Sequence, residues 1–134
     1  MLPLGDLVRR AKQMIGQFRV RSRSHRQPVG TLSGGNQQKV VLAKWMATPK
    51  RVLIFDEPTR GVDVGARQEI YAAIDAIART GVAVLLISSD MEELIGMSDR
   101  IGVMAEGRLQ GVLVGDEVSQ ARIFELASRL ESVA

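Results

Sequence analysis

Two short apolar runs, Arg51–Phe55 and Val82–Ile87, are separated by a single helical pattern running from about Val64 to Thr80. Runs of this length, rich in β-branched residues and bounded by turn formers, read as fully buried strands. A helix between them makes a parallel crossover, so the chain is committed to an α/β fold with a parallel sheet flanked by helices. The other elements follow from local signals. Leu4, Leu7, Val8, Ala11, Ile15 and Phe18 form one stripe of an amphipathic helix. Arg19 to Gly30 reads as a loop. Ser33 is placed to N-cap a helix from about Gly34 to Ala47, which Pro49 stops. A turn containing Gly61 spans Pro58 to Asp63, and Gly81 closes the helix after it. A short helix over Asp90–Met97 leads to strands Ile101–Met104 and Leu109–Val114, joined by a turn at Ala105–Arg108. A last helix runs from about Gln120 to Leu130. The sequence has no repeat, low-complexity tract or linker.

At 134 residues the chain is one domain or part of one. Aromatics are only 4%, so its core is aliphatic. With no cysteine there is neither a disulfide framework nor a thiolate metal site. A single histidine, His25, is read as an exposed loop residue and makes a zinc site improbable. The longest apolar run, Val82–Ile87, is far too short to span a membrane, and no apolar signal segment follows Met1. A cytosolic location is the expectation, with a membrane reached through a partner.

Charge is unevenly placed. Residues 1–28 hold Arg9, Arg10, Lys12, Arg19, Arg21, Arg23 and Arg26 against Asp6, a net of about +6. The whole chain is +3, so the remainder is about −3. Such an arm suits nucleic acid, anionic lipid or organelle targeting, or is simply a solvated helix face and a basic loop. No aromatics are interleaved for base stacking, so no nucleic acid is expected.

Two segments carry candidate chemistry. In Leu32-Ser33-Gly34-Gly35-Asn36, a serine and two glycines open a helix. Backbone N–H groups there, unscreened by side chains and aided by the helix dipole, make an anion cradle. Plain capping accounts for the same residues. The strand ending in Asp56-Glu57 sets two carboxylates at the carboxyl edge of a sheet, where α/β proteins bind ligands. The first can hold Mg2+ through water and the second can orient or deprotonate an attacking water. A charged turn after a strand is the alternative.

The combination is more specific than either part. Leu32-Ser33-Gly34-Gly35-Asn36-Gln37-Gln38-Lys39-Val40 is followed by Phe55-Asp56-Glu57-Pro58-Thr59-Arg60-Gly61-Val62-Asp63. Ser88-Ser89-Asp90-Met91-Glu92-Glu93-Leu94 then ends the next apolar strand. In order and spacing these resemble the signature, Walker B, D-loop and switch elements of an ATP-binding cassette (ABC) ATPase. From about Val20 onward the chain is similar to one branch, the ATP-binding subunits of bacterial carbohydrate importers of the ribose, galactose, xylose and autoinducer-2 type. It resembles the C-terminal part of the second nucleotide-binding domain of such a subunit. No G-x-x-x-x-G-K-[ST] loop occurs in the sequence, so the phosphate-gripping element is missing.

The resemblance implies a partial P-loop NTPase domain whose phosphate-loop strand is absent, leaving the 82–87 strand as an exposed apolar edge. Residues 1–31 would be the end of the helical subdomain and the basic loop. Residues 32–114 would hold the signature, Walker B, D-loop and switch region, and 115–134 the C-terminal helix. It implies that Ser33, Gly34, Gly35 and Asn36 contact ATP held by a different nucleotide-binding domain. Asp56 would hold Mg2+ through water, Glu57 would be the catalytic carboxylate and Asp63 the D-loop link between sites. ATP and Mg2+ would bind only with a complementary domain carrying the phosphate loop, so the isolated chain is expected to be inactive. Partners would be another nucleotide-binding domain, membrane permease subunits and a solute-binding protein, with the chain peripheral at the inner face of the plasma membrane. Asn36 replaces the commoner Gln, which is usual in this branch. Ser89 stands where most ABC ATPases have histidine, and serine lacks the charge and reach of imidazole. With Glu92 three residues on, Ser89 also reads as a capping box. Two other readings stay open: a half-domain of a DNA-repair or chromosome-maintenance ATPase, and a non-catalytic module that lends a signature half-site.

Overall fold

The computed structural model of the chain describes residues 3–128. They divide after Ile87 into two compact units.

The first unit begins with helix α1, Leu4–Gln17, whose apolar stripe matches the sequence expectation. A loop with one turn of 3-10 helix, Val29–Thr31, leads to α2, Gly34–Met46. Strand β1, Val52–Asp56, crosses through α3, Val64–Ala78, to β2, Ala83–Ile87. β1 and β2 pair in parallel, from Val52 opposite Ala83 to Asp56 opposite Ile87. Gly81, at φ +86°, turns the chain out of α3 in the left-handed conformation that suits glycine.

The strands are not fully buried, which corrects the sequence expectation. Along β1 only Leu53 and Phe55 are buried, and β2 alternates between exposed and half-buried. Leu53, Phe55, Leu42, Ile70, Ile74 and Ile77 make the core of this unit, where α2 and α3 contribute their inner faces. On the opposite face Val52, Ile54, Leu85 and Ile87 remain 47–62% exposed. A continuous apolar run specifies a strand meant for cover on both faces, and only one face is covered within this unit. The free edge expected of β2 is present, because β1 is its one partner among the described residues.

The second unit opens with α4, Met91–Met97. An antiparallel hairpin follows: β3, Arg100–Ala105, and β4, Arg108–Val114. Glu106 and Gly107 both take positive φ at its turn, the geometry that matches strand twist in a two-residue hairpin. Helix α5, Gln120–Ala127, packs Ile123 and Leu126 on Ile101, Val103 and Leu113. The expected end of this helix at Leu130 lies outside the described residues. His25, expected to be exposed, is half-buried in a turn of the loop after α1.

Candidate functional site

The start of α2 is built by contacts that reach well beyond it. Ser33 has the extended backbone of an N-cap, φ −62° and ψ 154°, but its side chain caps nothing. Its hydroxyl instead accepts a hydrogen bond from the Asn36 amide at 2.8 Å. The Asn36 carbonyl oxygen accepts from the backbone N–H of Arg21 at 2.7 Å. The first-turn N–H groups of α2 therefore have no side-chain cap, at the positive end of a helix dipole.

The two glycines differ. Gly35 is buried, and a Cβ there would lie 2.5 Å from the Ala66 Cβ and 3.5 Å from Val62 Cγ1. Its missing side chain is what lets α2 approach the start of α3. Gly34 is exposed, with only the Gly61 carbonyl oxygen, at 3.9 Å, near a would-be Cβ. The start of α2 thus lies against the 57–63 turn and the first turn of α3. The structure brings Ser33, Gly34, Gly35 and Asn36 beside the turn that ends at Asp63.

Asp63 itself N-caps α3, its carboxylate accepting from the Ala66 N–H at 3.0 Å. Asp56 is exposed at the carboxyl end of β1. It lines a groove of about 120 Å³ with Gln38, Trp45, Ile54 and Pro58, between α2 and β1. Glu57 is half-buried and sits at φ +48°, a left-handed conformation uncommon for a non-glycine residue. Its N–H donates to the Ile87 carbonyl at 2.8 Å, and its own carbonyl accepts from Arg60 N–H at 3.1 Å. These bonds fasten the turn to the end of β2 and hold the strained backbone in place.

Ser89 belongs to the second unit, where it is exposed. The cap of α4 falls to Asp90, which accepts from the N–H groups of Glu92 at 3.0 Å and Glu93 at 3.2 Å. The capping box expected from Ser89 and Glu92 is therefore not the one used. Ser88, Ser89 and Asp90 are all capping residue types, and the carboxylate, one residue later, is the group that reaches two donors.

A buried cation is the feature that sequence reasoning missed. Lys39 on α2 is only 2% exposed, and its ammonium pairs with Glu69 on α3. It also donates to the Arg19 carbonyl at 3.3 Å. Arg21 approaches the same Glu69 carboxylate at 3.5 Å. The Lys39 hydrogen bond holds the Glu69 carboxyl below its ordinary value of 4.5, helped by the charges of Arg21 and Arg19. Lys39 lies three residues after Asn36, on the inward side of α2, which is the only local hint. Its partner is 30 residues away.

Among the described residues no group of three or more His, Asp or Glu side chains could hold a metal ion. Asp56 alone could bind Mg2+ only if water and phosphate oxygens supplied the remaining ligands, and its exposure at the strand end leaves room for that.

The chain is similar to several known proteins. Residues 6–60 match the family model described as ABC transporter. Over 115 residues the chain is 51% identical to the ribose import ATP-binding protein RbsA of Oceanobacillus iheyensis, covering 86% of this chain and 23% of that protein. It is 49% identical over 118 residues to the galactose/methyl galactoside import ATP-binding protein MglA of Clostridium tetani, covering 88% of this chain and 24% of that one. The chain thus spans about a quarter of the length of these curated relatives. Among solved structures, the MJ1267 ATP-binding cassette of an ABC transporter superposes with a TM-score of 0.79 at 22% identity, over 94% of this chain and 52% of that one.

Proposed function

We propose that the chain, similar over most of its length to sugar-import ATP-binding proteins and matched over residues 6–60 by the ABC transporter family model, forms part of the ATP-binding subunit of an importer for sugars or sugar-like solutes, coupling ATP hydrolysis to uptake. The observation that carries this reading is the start of α2. A serine with cap geometry leaves its cap unmade, and the glycine after it keeps the approach to the first-turn N–H groups open. An anion is the missing partner of such a helix start.

In this reading Ser33, Gly34, Gly35 and Asn36 contact the γ-phosphate of ATP held by a second nucleotide-binding domain. Asn36 fixes the Ser33 hydroxyl, and Gly35 sets the depth at which α2 sits. Asp63 caps α3 and carries the link between the two ATP sites. Asp56 holds Mg2+ through water, and Glu57 orients the attacking water at its own domain's site. Bound ATP supplies the anhydride to be cleaved and the phosphate oxygens that complete the Mg2+ shell. Ser89 occupies the switch position without a charge to place near the phosphates, so the site built on Asp56 and Glu57 is the weaker of the two. Permease subunits and a solute-binding protein complete the transporter, with this chain on the cytoplasmic face of the membrane. Among the described residues no helix is long and apolar enough to cross a membrane. Without a phosphate loop in its sequence, the isolated chain neither binds ATP tightly nor turns it over.

The test is a graft. The 115 matching residues of the Oceanobacillus iheyensis ribose import protein are replaced by this chain's, and ATP hydrolysis and ribose uptake are measured in membranes carrying the transporter. The graft should support both. Ser33→Arg should cut hydrolysis by about a hundredfold, the scale of losing a preorganised phosphate contact. Glu57→Gln should cut it less, because its site is the weaker one. An active graft indifferent to Ser33→Arg would sink the reading.

A further inference from the structure

Lys39 is a buried cation where an apolar side chain of similar volume would avoid the desolvation of a charge. What the ammonium adds is direction. It pairs with Glu69 on α3 and donates to the Arg19 carbonyl at 3.3 Å. Arg19 sits at φ +49°, where the chain leaves α1. Its N–H donates to the Gly16 carbonyl at 3.1 Å, and the Val20 N–H donates to the Ile15 carbonyl at 2.9 Å. Glycine is the usual occupant of that left-handed place. Val20 is buried, and Arg21 then turns its N–H onto the Asn36 carbonyl oxygen at 2.7 Å. Asn36 and Lys39, three residues apart on one side of α2, thus grip Arg21 and Arg19, two residues apart on the departing chain.

That grip sets the direction of a proton. A backbone N–H only donates, so Asn36 faces Arg21 with its carbonyl oxygen and Ser33 with its amide. The amide donates to the Ser33 hydroxyl oxygen at 2.8 Å. The hydroxyl is therefore an acceptor toward Asn36, which leaves its own proton for another acceptor. With the Asn36 amide reversed, Ser33 would direct that proton at Asn36 and present lone pairs to an incoming phosphate. We propose that Lys39 is a positioning residue: by tying the Arg19 carbonyl to Glu69 it keeps the Arg21 N–H on Asn36, and so keeps the Ser33 hydroxyl a donor to phosphate. This rests on the reading of Ser33 as a contact to the γ-phosphate.

Amide hydrogen exchange on the full chain, without nucleotide, tests the clamp separately from the ATPase reading. Lys39→Met should speed exchange of the Arg21 N–H about tenfold and leave the Ala66 N–H, which Asp63 holds, within about twofold. An unchanged Arg21 N–H, or equal acceleration at Ala66, would overturn the proposal. In the grafted importer Lys39→Met should lower ATP hydrolysis about tenfold through the misplaced contact. The same change added to Asn36→Ala should lower it by less than about twofold, because the group through which Lys39 acts is already gone. Losses that multiply would mean that Lys39 acts by some other route, and would overturn it. Lys39→Met with Glu69→Gln removes both charges and guards against misfolding. It should return the urea midpoint toward the parent's, while hydrolysis stays about tenfold low and the Arg21 N–H still exchanges fast. Hydrolysis that recovers along with stability would reduce Lys39 to packing and sink the proposal. A graft sensitive to Ser33→Arg but not to Lys39→Met sinks this inference alone, whereas one indifferent to Ser33→Arg sinks the reading beneath it as well.

Discussion

The first unit has two helix starts that lie side by side and are finished in opposite ways. At α3, Asp63 turns its carboxylate back onto the Ala66 N–H, so the helix closes its own end. At α2, Ser33 has the backbone for the same task, but its hydroxyl is held by Asn36 and no side chain caps the turn. The cost of an unfinished helix end, about 1 kcal/mol for a missing cap, is borne at α2 and avoided at α3. A helix start finished from within is structural. One that is rigidly positioned yet left open has its donors available for something outside the chain.

This contrast can be broken in several places, and urea unfolding of the full chain measures each. The largest effect is expected at Gly35. Gly35→Ala should destabilise by about 1–3 kcal/mol, the range for overpacking a close contact, because the new methyl meets Ala66 Cβ at 2.5 Å. Gly34→Ala should be neutral or slightly stabilising, since little surrounds it. Equal losses at both glycines would show that the two do not have separate duties. Next, Asp63→Ala should cost about 1 kcal/mol through the lost cap, and Ser33→Ala less than about 0.5 kcal/mol, the low end for one exposed hydrogen bond. A loss at Ser33 as large as that at Asp63 would mean that the α2 start is capped in solution after all.

A smaller effect of opposite sign is expected at Glu57. Relieving its left-handed backbone with Glu57→Gly should stabilise the chain by up to about 1 kcal/mol. The same change in the grafted importer should lower turnover, a trade that marks strain kept for function. The smallest effect concerns pH. Glu69 has its folded-state pKa lowered, so its contribution is present above the ordinary value of 4.5 and fades as pH falls below it. The carboxylate is 36% exposed, so solvent screens much of the pairing. Lys39→Met should flatten that part of the stability profile. A profile unchanged by Lys39→Met would remove the pair as a link between α2 and α3.

Much of this was readable in the sequence, and the failures have physical causes. The β1–α3–β2 crossover followed from two apolar runs around a helical pattern, and Gly81 and the Glu106-Gly107 turn followed from local backbone needs. Burial of the strands did not. A run such as Val82–Ile87 records that both faces are suited to cover, but not whether a given chain contains the cover. The cap of α4 was ambiguous because Ser89 and Asp90 adjoin, and only the geometry decides which oxygen reaches the amides. Ser33, Gly34, Asp56 and Asp63 stood out because their types and spacing are local. The Lys39–Glu69 pair was invisible because it joins residues far apart in sequence. The packing duty of Gly35 was hidden for the same reason, since Ala66 belongs to another helix.

Among the described residues β2 pairs on one side only, with β1, and this should leave a two-residue beat in its hydrogen exchange. Ala83 N–H donates to the Arg51 carbonyl, and the Ile87 carbonyl accepts from Glu57 N–H. In a parallel ladder the bonding side alternates, so Ala83, Leu85 and Ile87 face β1 while the amides of Val84 and Leu86 face outward. Deuterium should therefore enter at Val84 and Leu86 long before it enters at their neighbours. When a further strand docks against that edge, those two amides should fall silent together, giving a direct clock for completion of the sheet.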